Sequence, residues 1–171
     1  MAQIKLQADG LNLADTFAFS GTVTGAGGGK VLQAVQDTHT AIATITTDTF
    51  TPFSASLAVT ITPASTSNDI LLLVSLCGVE AEDYQFLDIQ RAISGGATTA
   101  NLSGVSYGMS GGYSGFAKRL GQSYMFLDSP STTSAITYSP TGRDDNGVHW
   151  TSINRNNGSQ SSHIIAMEIE G

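Results

Sequence analysis

The glycine-rich segment at residues 25–30, GAGGGK, has the spacing that most resembles a site for chemistry. Glycines followed by a lysine can cradle a phosphate, but such a loop needs Ser or Thr after the lysine to hold magnesium, and Val31 follows here. A preceding buried strand and a following helix are also missing from the pattern. Because glycine loses more backbone entropy on ordering than any other residue, we interpret the segment as a hinge.

The histidines and the acidic clusters do not predict a metal site. His39, His149 and His163 lie far apart and lack the spacing of paired ligands. Residues 80–83 carry three carboxylates, and residues 144–146 carry two carboxylates and an amide. Either cluster could offer oxygen atoms to Ca²⁺, but neither has the spacing of a dedicated loop, so solvated loops are the favoured interpretation. No metal and no cofactor is expected.

The sequence offers little for hydrolytic catalysis. Ser-His-Asp chemistry is disfavoured because no G-x-S-x-G motif occurs. The two carboxylates of a glycosidase must stand about 5 to 10 Å apart across a cleft, which a sequence does not fix. Cys77 is the single cysteine, and its place in the apolar run 70–77 predicts a buried core thiol. No catalytic residue is predicted.

Composition narrows the class of partner. Charged residues make up 12% of the chain, with 7 Lys and Arg against 14 Asp and Glu and a net charge of -7. A nucleic-acid footprint needs clustered cations, so DNA or RNA binding is not expected. The apolar run 70–76 is too short for a membrane span of about 20 residues. Residues 1–9 lack an apolar core behind a basic start, and we therefore expect no secretory signal and no membrane insertion.

A period of two in the apolar residues predicts β-strands along most of the chain. Leu57, Val59 and Ile61 alternate with smaller or polar residues, and Thr62 and Pro63 end that strand. The next strand is apolar on both faces, which indicates one face in the core and the other against a second sheet or a neighbouring subunit. In chain order it and the later predicted strands are residues 70–77, 84–93, 122–127, 133–139, 148–154 and 163–169.

Turn signals at fairly even spacing separate these strands, and no segment predicts a helix of three turns. The turns fall at residues 94–96, 128–130, 146–147 and 156–158. Many short strands with such turns indicate an antiparallel β-sandwich or jelly roll. We therefore divide the chain into an N-terminal attachment arm with its hinge, residues 1–29, and one β-sandwich domain, residues 30–171. The arm carries the best helical candidate of the chain, which is short.

The glycine-rich stretch 97–120 is predicted to form extended loops over a weak strand. It carries exposed aromatic residues, and aromatic loops are the usual place for recognition. The same aromatic residues could instead cap the open end of the sandwich. A polar turn after residue 142 adds further candidates. The candidate surface-recognition residues are Tyr107, Tyr113, Phe116, Arg143, Asp144 and Asn146.

Five segments together resemble the small tail-fibre and virion surface proteins of tailed bacteriophages. They are residues 13–23 (LADTFAFSGTV), 29–35 (GKVLQAV), 64–69 (ASTSND), 126–134 (FLDSPSTTS) and 166–169 (AMEI). The resemblance implies homotrimers of jelly-roll or TNF-like domains on the virion surface, made in the host cytoplasm. None of the five segments carries catalysis. The chain lacks the long repetitive shaft of a large fibre.

A trimer also has a physical argument of its own. A central strand that is apolar on both faces leaves surplus hydrophobic surface, which identical neighbours can bury in a closed ring. An obligate homotrimer is therefore expected. The candidate seam consists of Leu71, Leu73 and Phe86, with Leu76 and Cys77 as alternatives.

Three functions remain open at this point. In the favoured one, the protein is a short tail fibre or receptor-binding trimer whose arm docks on the tail or baseplate and whose loops face a host glycan or surface protein. In the second, it is a capsid decoration protein or head fibre that braces the major capsid protein. The third, a glycan-cleaving tail tip, is the least favoured. In either of the first two, the attachment residues are Leu11, Leu13, Phe17 and Phe19.

Overall fold

The computed structural model describes residues 29–113, 119–145, 147, 151–156 and 158–171. The four predicted attachment residues of the arm lie outside this part of the chain, as do Phe116, Asn146 and His149. Within it the protein is all-β: every strand pair is antiparallel, and no described residue is helical. None of the described residues belongs to a helix long and apolar enough to cross a membrane.

The strands form two six-stranded sheets. The first sheet has the order β1-β12-β5-β11-β2, and β9 pairs with β5 as an additional neighbour outside this order. The second has the order β3-β10-β6-β7, with β4 on β10 and β8 on β6. The first comprises β1 (Val31–His39), β2 (Ala43–Ile45), β5 (Asp69–Ala81), β9 (Leu120–Asp128), β11 (Thr151–Ile153) and β12 (Ser162–Ile169). The second comprises β3 (Thr51–Pro52), β4 (Val59–Ile61), β6 (Tyr84–Ile93), β7 (Thr98–Thr99), β8 (Ser110–Tyr113) and β10 (Ile136–Asp144).

One hydrophobic core lies between the inner faces of the two sheets, an arrangement consistent with a β-sandwich. Strand β5 supplies Leu72 and Leu76 from the first sheet, and β6 supplies Leu87 and Ile89 from the second; all four are buried. Tyr138 of β10 lies in the same core and donates a hydrogen bond to Asp128 Oδ2 at 2.6 Å. The long strands β5 and β12 therefore place one face in the core and leave most of the other face partly exposed.

Strand β10 continues through Pro140 because no neighbouring strand requires a backbone N–H donor at this position. Proline has no backbone N–H and is tolerated in a strand only where that donor is not required. On one side of β10, Ile136–Tyr138 pair with β4 and Thr141–Gly142 pair with β3, so Pro140 falls in the gap between the two neighbours. Its carbonyl oxygen accepts from Phe53 N at 3.2 Å. The predicted strand 133–139 is thus displaced and extended to Asp144.

Candidate functional site

An aromatic cleft opens on the outer face of the second sheet. It lies where the start of β6, the edge strand β8 and the loop 100–109 meet, and its volume is about 490 Å³. Two residues of the sequence prediction, Tyr107 and Tyr113, belong to this region, and Tyr107 lines the cleft. Among the described residues, the lining consists of Tyr84, Phe86, Tyr107, Met109, Ser110, Asp145 and three glycines, Gly108, Gly111 and Gly112.

The aromatic rings of this region are in contact with one another. Tyr84 and Phe86 are two residues apart on β6, so both point to the same face, and their rings are parallel with centroids 6.4 Å apart. Tyr113 meets Tyr84 edge-on at 5.3 Å, and Tyr107 lies 4.9 Å from the ring of Phe86. Tyr107 and Tyr113 are 66% and 63% exposed, whereas Phe86 is buried. The group is a platform of exposed tyrosines on a buried phenylalanine.

Asp88 fixes the loop that supplies Tyr107. Its side chain is fully buried, and its Oδ1 accepts from the backbone N–H groups of Leu102 at 3.0 Å and Ser103 at 3.2 Å. Its Oδ2 accepts from the hydroxyl group of Ser103. A buried carboxylate needs such donors, since an isolated charge in the interior is strongly disfavoured. The start of the loop is therefore tied to the second sheet.

Two glycines, one at the end of the loop and one in β8, allow this part of the chain to lie close to β6. Gly108 has a φ of +69°, and a Cβ there would lie 2.3 Å from the carbonyl oxygen of Leu87. A Cβ on Gly111 would lie 2.6 Å from the carbonyl oxygen of Gln85. Only glycine permits these backbone approaches without strain. The sequence prediction of an extended glycine-rich loop over a weak strand is confirmed for the described part of residues 97–120.

Arg143 lies beneath the loop and anchors it. Its Nη2 donates to the carbonyl oxygen of Ser106 at 2.7 Å, and its Nε donates to the same oxygen at 3.1 Å. The guanidinium carbon is 4.7 Å from the ring centroid of Phe86, a cation–π contact. Arg143 was predicted as a contact for a surface ligand. In the structure it holds the residue next to Tyr107 and borders a second groove with Phe50 and Asp48.

The predicted recognition role of Asp144 is wrong. Asp144 is fully buried at the end of β10, where it pairs with Gln85 of β6, so its side chain is not available to a surface ligand. Asp145, the next residue, is exposed and lines the cleft. Neighbouring residues of a strand point to opposite sides, so the carboxylates of Asp144 and Asp145 are separated. The strand continues to Asp144, whereas the sequence analysis predicted a turn from Arg143 onward.

The acidic cluster at residues 80–83 is not a simple solvated loop. Glu80 is buried in β5, and its Oε2 lies 2.9 Å from Arg119 Nε and 3.5 Å from Arg155 Nε. Its charge is therefore balanced within the protein. His39 and His163 hydrogen bond to hydroxyl groups of neighbouring side chains. Across the described residues, no group of three or more His, Cys, Asp or Glu side chains has a geometry that could hold a metal ion.

Part of the outer side of the first sheet is apolar. Leu71 and Leu73 of β5 point away from the core, as predicted for a strand that is apolar on both sides. Met125 lies opposite Leu73 and Leu127 opposite Leu71 on β9, and these two are 70% and 54% exposed. On the other side of β5, partly buried apolar residues of β12 continue the surface. We call this set the apolar face: Leu71, Leu73, Met125, Leu127, Ile165 and Met167.

The other three residues considered for the seam have different positions. Leu76 is buried in the core between the two sheets. Phe86 lies on the second sheet beneath the aromatic cleft, so it shares no face with Leu71 and Leu73. Cys77 is half-buried and not a fully buried core thiol. It shares the outer side of β5 with Leu73, because alternate residues of a strand lie on one face. The structure thus brings together two of the three predicted seam residues.

The chain matches no protein-family model and no curated protein.

Proposed function

We propose that this chain is a short tail fibre or receptor-binding protein of a tailed bacteriophage, displayed on the virion as a jelly-roll homotrimer. The observation that carries the proposal is the aromatic cleft, in which exposed tyrosines stand on a loop tied to the sheet by Asp88 and Arg143. Tyrosine supplies a large contact area at a low cost in conformational entropy, which suits a recognition surface. The resemblance of the five sequence segments to phage fibre proteins supports the virion context.

The fixed loop favours binding over a merely structural role. Aromatic residues that only cap a sandwich would be expected to bury their rings, yet Tyr107 and Tyr113 leave most of their surface in solvent. Exposed apolar area of this kind commonly marks an interaction site. Because Asp88, Gly108 and Arg143 hold the loop in place beforehand, little ordering entropy remains to be lost on binding.

The apolar face supports the homotrimer. Each copy has a net charge of -7, so copies repel one another wherever their carboxylates approach. The members of the apolar face are uncharged, although Asp69 lies on the same side of β5. Burial of the apolar side chains of this face would therefore hold identical copies together. In this arrangement Leu71 and Leu73 lie at the seam, the second sheet faces outward, and the arm at residues 11–29 attaches the trimer to the tail or baseplate.

Adsorption inhibition tests the receptor-binding role. Host cells are incubated with purified protein and then challenged with the phage that encodes it, and the fraction of adsorbed phage is measured. We expect the wild-type protein to reduce adsorption and Tyr107→Ala to lose most of this effect. Val105→Ala is the matched control, because Val105 is an exposed residue of the same loop that does not line the cleft. Equal inhibition by all three proteins, or by none, would contradict the proposal.

A further inference from the structure

We infer that the aromatic cleft binds a neutral saccharide, whose C–H face lies on the exposed tyrosine rings and whose hydroxyl groups donate to the Asp145 carboxylate. This inference rests on the proposed recognition role of the same cleft and specifies the chemical class of its ligand. The rings and the carboxylate that it needs border one cleft of about 490 Å³. That volume falls within the range of small-molecule sites.

The combination of rings and an acceptor matches the two surfaces of a pyranose. One surface of the sugar ring presents C–H groups with a slight positive charge, and the face of an aromatic ring carries negative charge density. The rim of the sugar presents hydroxyl donors, which an ionised carboxylate accepts in strong hydrogen bonds. Gly111 and Gly112 also border the cleft, and they have no side chains that would fill it.

The arrangement of the rings argues against a cationic ligand. An aromatic cage for an ammonium group surrounds the cation with separate ring faces. Here neighbouring rings touch each other, with centroid distances of 4.9, 5.3 and 6.4 Å, so they form a platform and not a cage. The guanidinium of Arg143 already lies against the ring of Phe86. A second cation at this ring would be repelled by the positive charge of Arg143.

The charges around the cleft argue against an acidic saccharide. Asp145 is the charged side chain in the described lining, and the whole chain carries a net charge of -7. Among the described residues Arg143 is a cation near the cleft, but its donors are directed at the backbone carbonyl oxygens of Ser106, Asp48 and Asp144. A carboxylate or sulfate on the ligand would therefore meet repulsion from Asp145. A neutral sugar avoids this repulsion, and its hydroxyl groups can donate hydrogen bonds to the Asp145 carboxylate.

Saturation-transfer NMR on the full chain tests the ligand class. The probes are methyl glycosides of neutral hexoses and N-acetylhexosamines, methyl glucuronide as an acidic sugar, and tetramethylammonium as a cation. We expect transfer to the ring C–H protons of at least one neutral glycoside. Tyr107→Ala and Asp145→Asn should each weaken its binding by about tenfold, the size of one lost ring contact or hydrogen bond. Val105→Ala should bind as the wild type does.

The outcomes separate the saccharide from the receptor role. If only the glucuronide or tetramethylammonium binds, the neutral saccharide is wrong. If no neutral glycoside binds while Tyr107→Ala still abolishes adsorption inhibition, the ligand class is wrong and the recognition role stands. If a neutral glycoside binds through Tyr107 and adsorption does not depend on that residue, the saccharide site stands and the receptor role fails. Binding that is equal in wild type and Tyr107→Ala places the sugar elsewhere and overturns the inference.

Discussion

Asp88 is the residue on which the position of the aromatic cleft most depends. It lies on the outer side of β6, opposite Thr141 of β10, yet the loop above buries it completely. Its two carboxylate oxygens accept from Leu102, Ser103 and the backbone N–H of Ile89. The carboxylate thus accepts the hydrogen bonds that water would otherwise accept from the backbone of the loop. These bonds fix the position of the glycine-rich segment that carries Tyr107.

Substitution of Asp88 should destabilise the fold and disturb the cleft. In Asp88→Ala the backbone donors of the loop lose their acceptor, which should lower the free energy of unfolding by about 3 kcal/mol. Urea unfolding measures this loss. Asp145→Ala is the matched control, because that carboxylate is exposed, and its effect should be within about 0.5 kcal/mol. Equal free energies of unfolding for the two variants would show that Asp88 does not stabilise the loop.

Gly108 should tolerate no side chain. A methyl group there would collide with the carbonyl oxygen of Leu87, and the φ of +69° is strained for alanine. We expect Gly108→Ala to cost about 1 to 3 kcal/mol in the free energy of unfolding and to weaken ligand binding, because the loop must move. Gly104→Ala is a useful comparison. It has a similar φ of +71° but nothing within 4 Å of its Cβ, so it isolates the backbone strain from the collision.

At the scale of elements, Glu168 ties β12 to its surroundings. It is buried, and it accepts hydrogen bonds from Gln33 Nε2 of β1, Asn68 Nδ2 and the backbone N–H of Ala64, each at 2.6 Å. Burial alone would raise the pKa of Glu168, but these three hydrogen bonds outweigh it and hold the pKa below its ordinary value. The ionised form therefore links β1, β12 and the segment that precedes β5.

This linkage predicts a loss of stability in acid. Because the folded pKa of Glu168 is lowered, its contribution is fully present above the ordinary glutamate value of 4.5 and is lost as the pH falls through the folded pKa. At pH 7 we expect Glu168→Gln to unfold with about 2 kcal/mol less free energy than the wild type. The difference should shrink as the medium is acidified below that value. Urea unfolding at several pH values measures it, and a constant difference would contradict the assigned pKa direction.

The apolar pattern predicted the elements best where a strand is buried. Strand β5 and strand β12 were predicted within a few residues, because every second residue is buried over residues 70–76 and over residues 162–168. Strand β1 was not predicted as a strand. It lies at the edge of the first sheet, where no position is fully buried, and it carries polar residues such as Gln33 and Asp37. An edge strand held mainly by backbone pairing leaves little signal in the sequence.

The candidate site was predictable only in part, for a related reason. Exposed aromatic residues in a glycine-rich stretch pointed to Tyr107 and Tyr113 directly. Tyr84 could not be recognised, because its role depends on β6 and β8 pairing side by side, with Tyr84 opposite Tyr113. Pairing between segments distant in sequence is fixed by the whole fold and not by local composition.

At the scale of the whole molecule, the two candidate surfaces lie on different sheets. The aromatic cleft belongs to the outer side of the second sheet, and the apolar face belongs to the outer side of the first. A copy can therefore use one surface for self-association and keep the other open for a ligand. Several weak sites on one trimer would raise avidity by about 10² to 10⁴.

If the proposed trimer forms through the apolar face, a charge placed there should dissociate it. Met125 is 70% exposed in the single chain, so Met125→Lys should leave the fold intact while burying a charge at the seam. Light scattering should give three times the 17.7 kDa chain mass for the wild type and the mass of one chain for the variant. Ser94→Lys, in an exposed turn, should remain a trimer. A monomeric wild type at micromolar concentration would contradict the homotrimer.

The location of the protein on the virion tests the central claim most directly. Intact phage particles are labelled with gold-conjugated antibody raised against residues 31–171 and viewed by electron microscopy. The proposal of a receptor-binding fibre predicts gold at the tip of the tail. Gold over the head would contradict it in favour of a capsid decoration protein, and particles without gold would contradict any role on the virion surface.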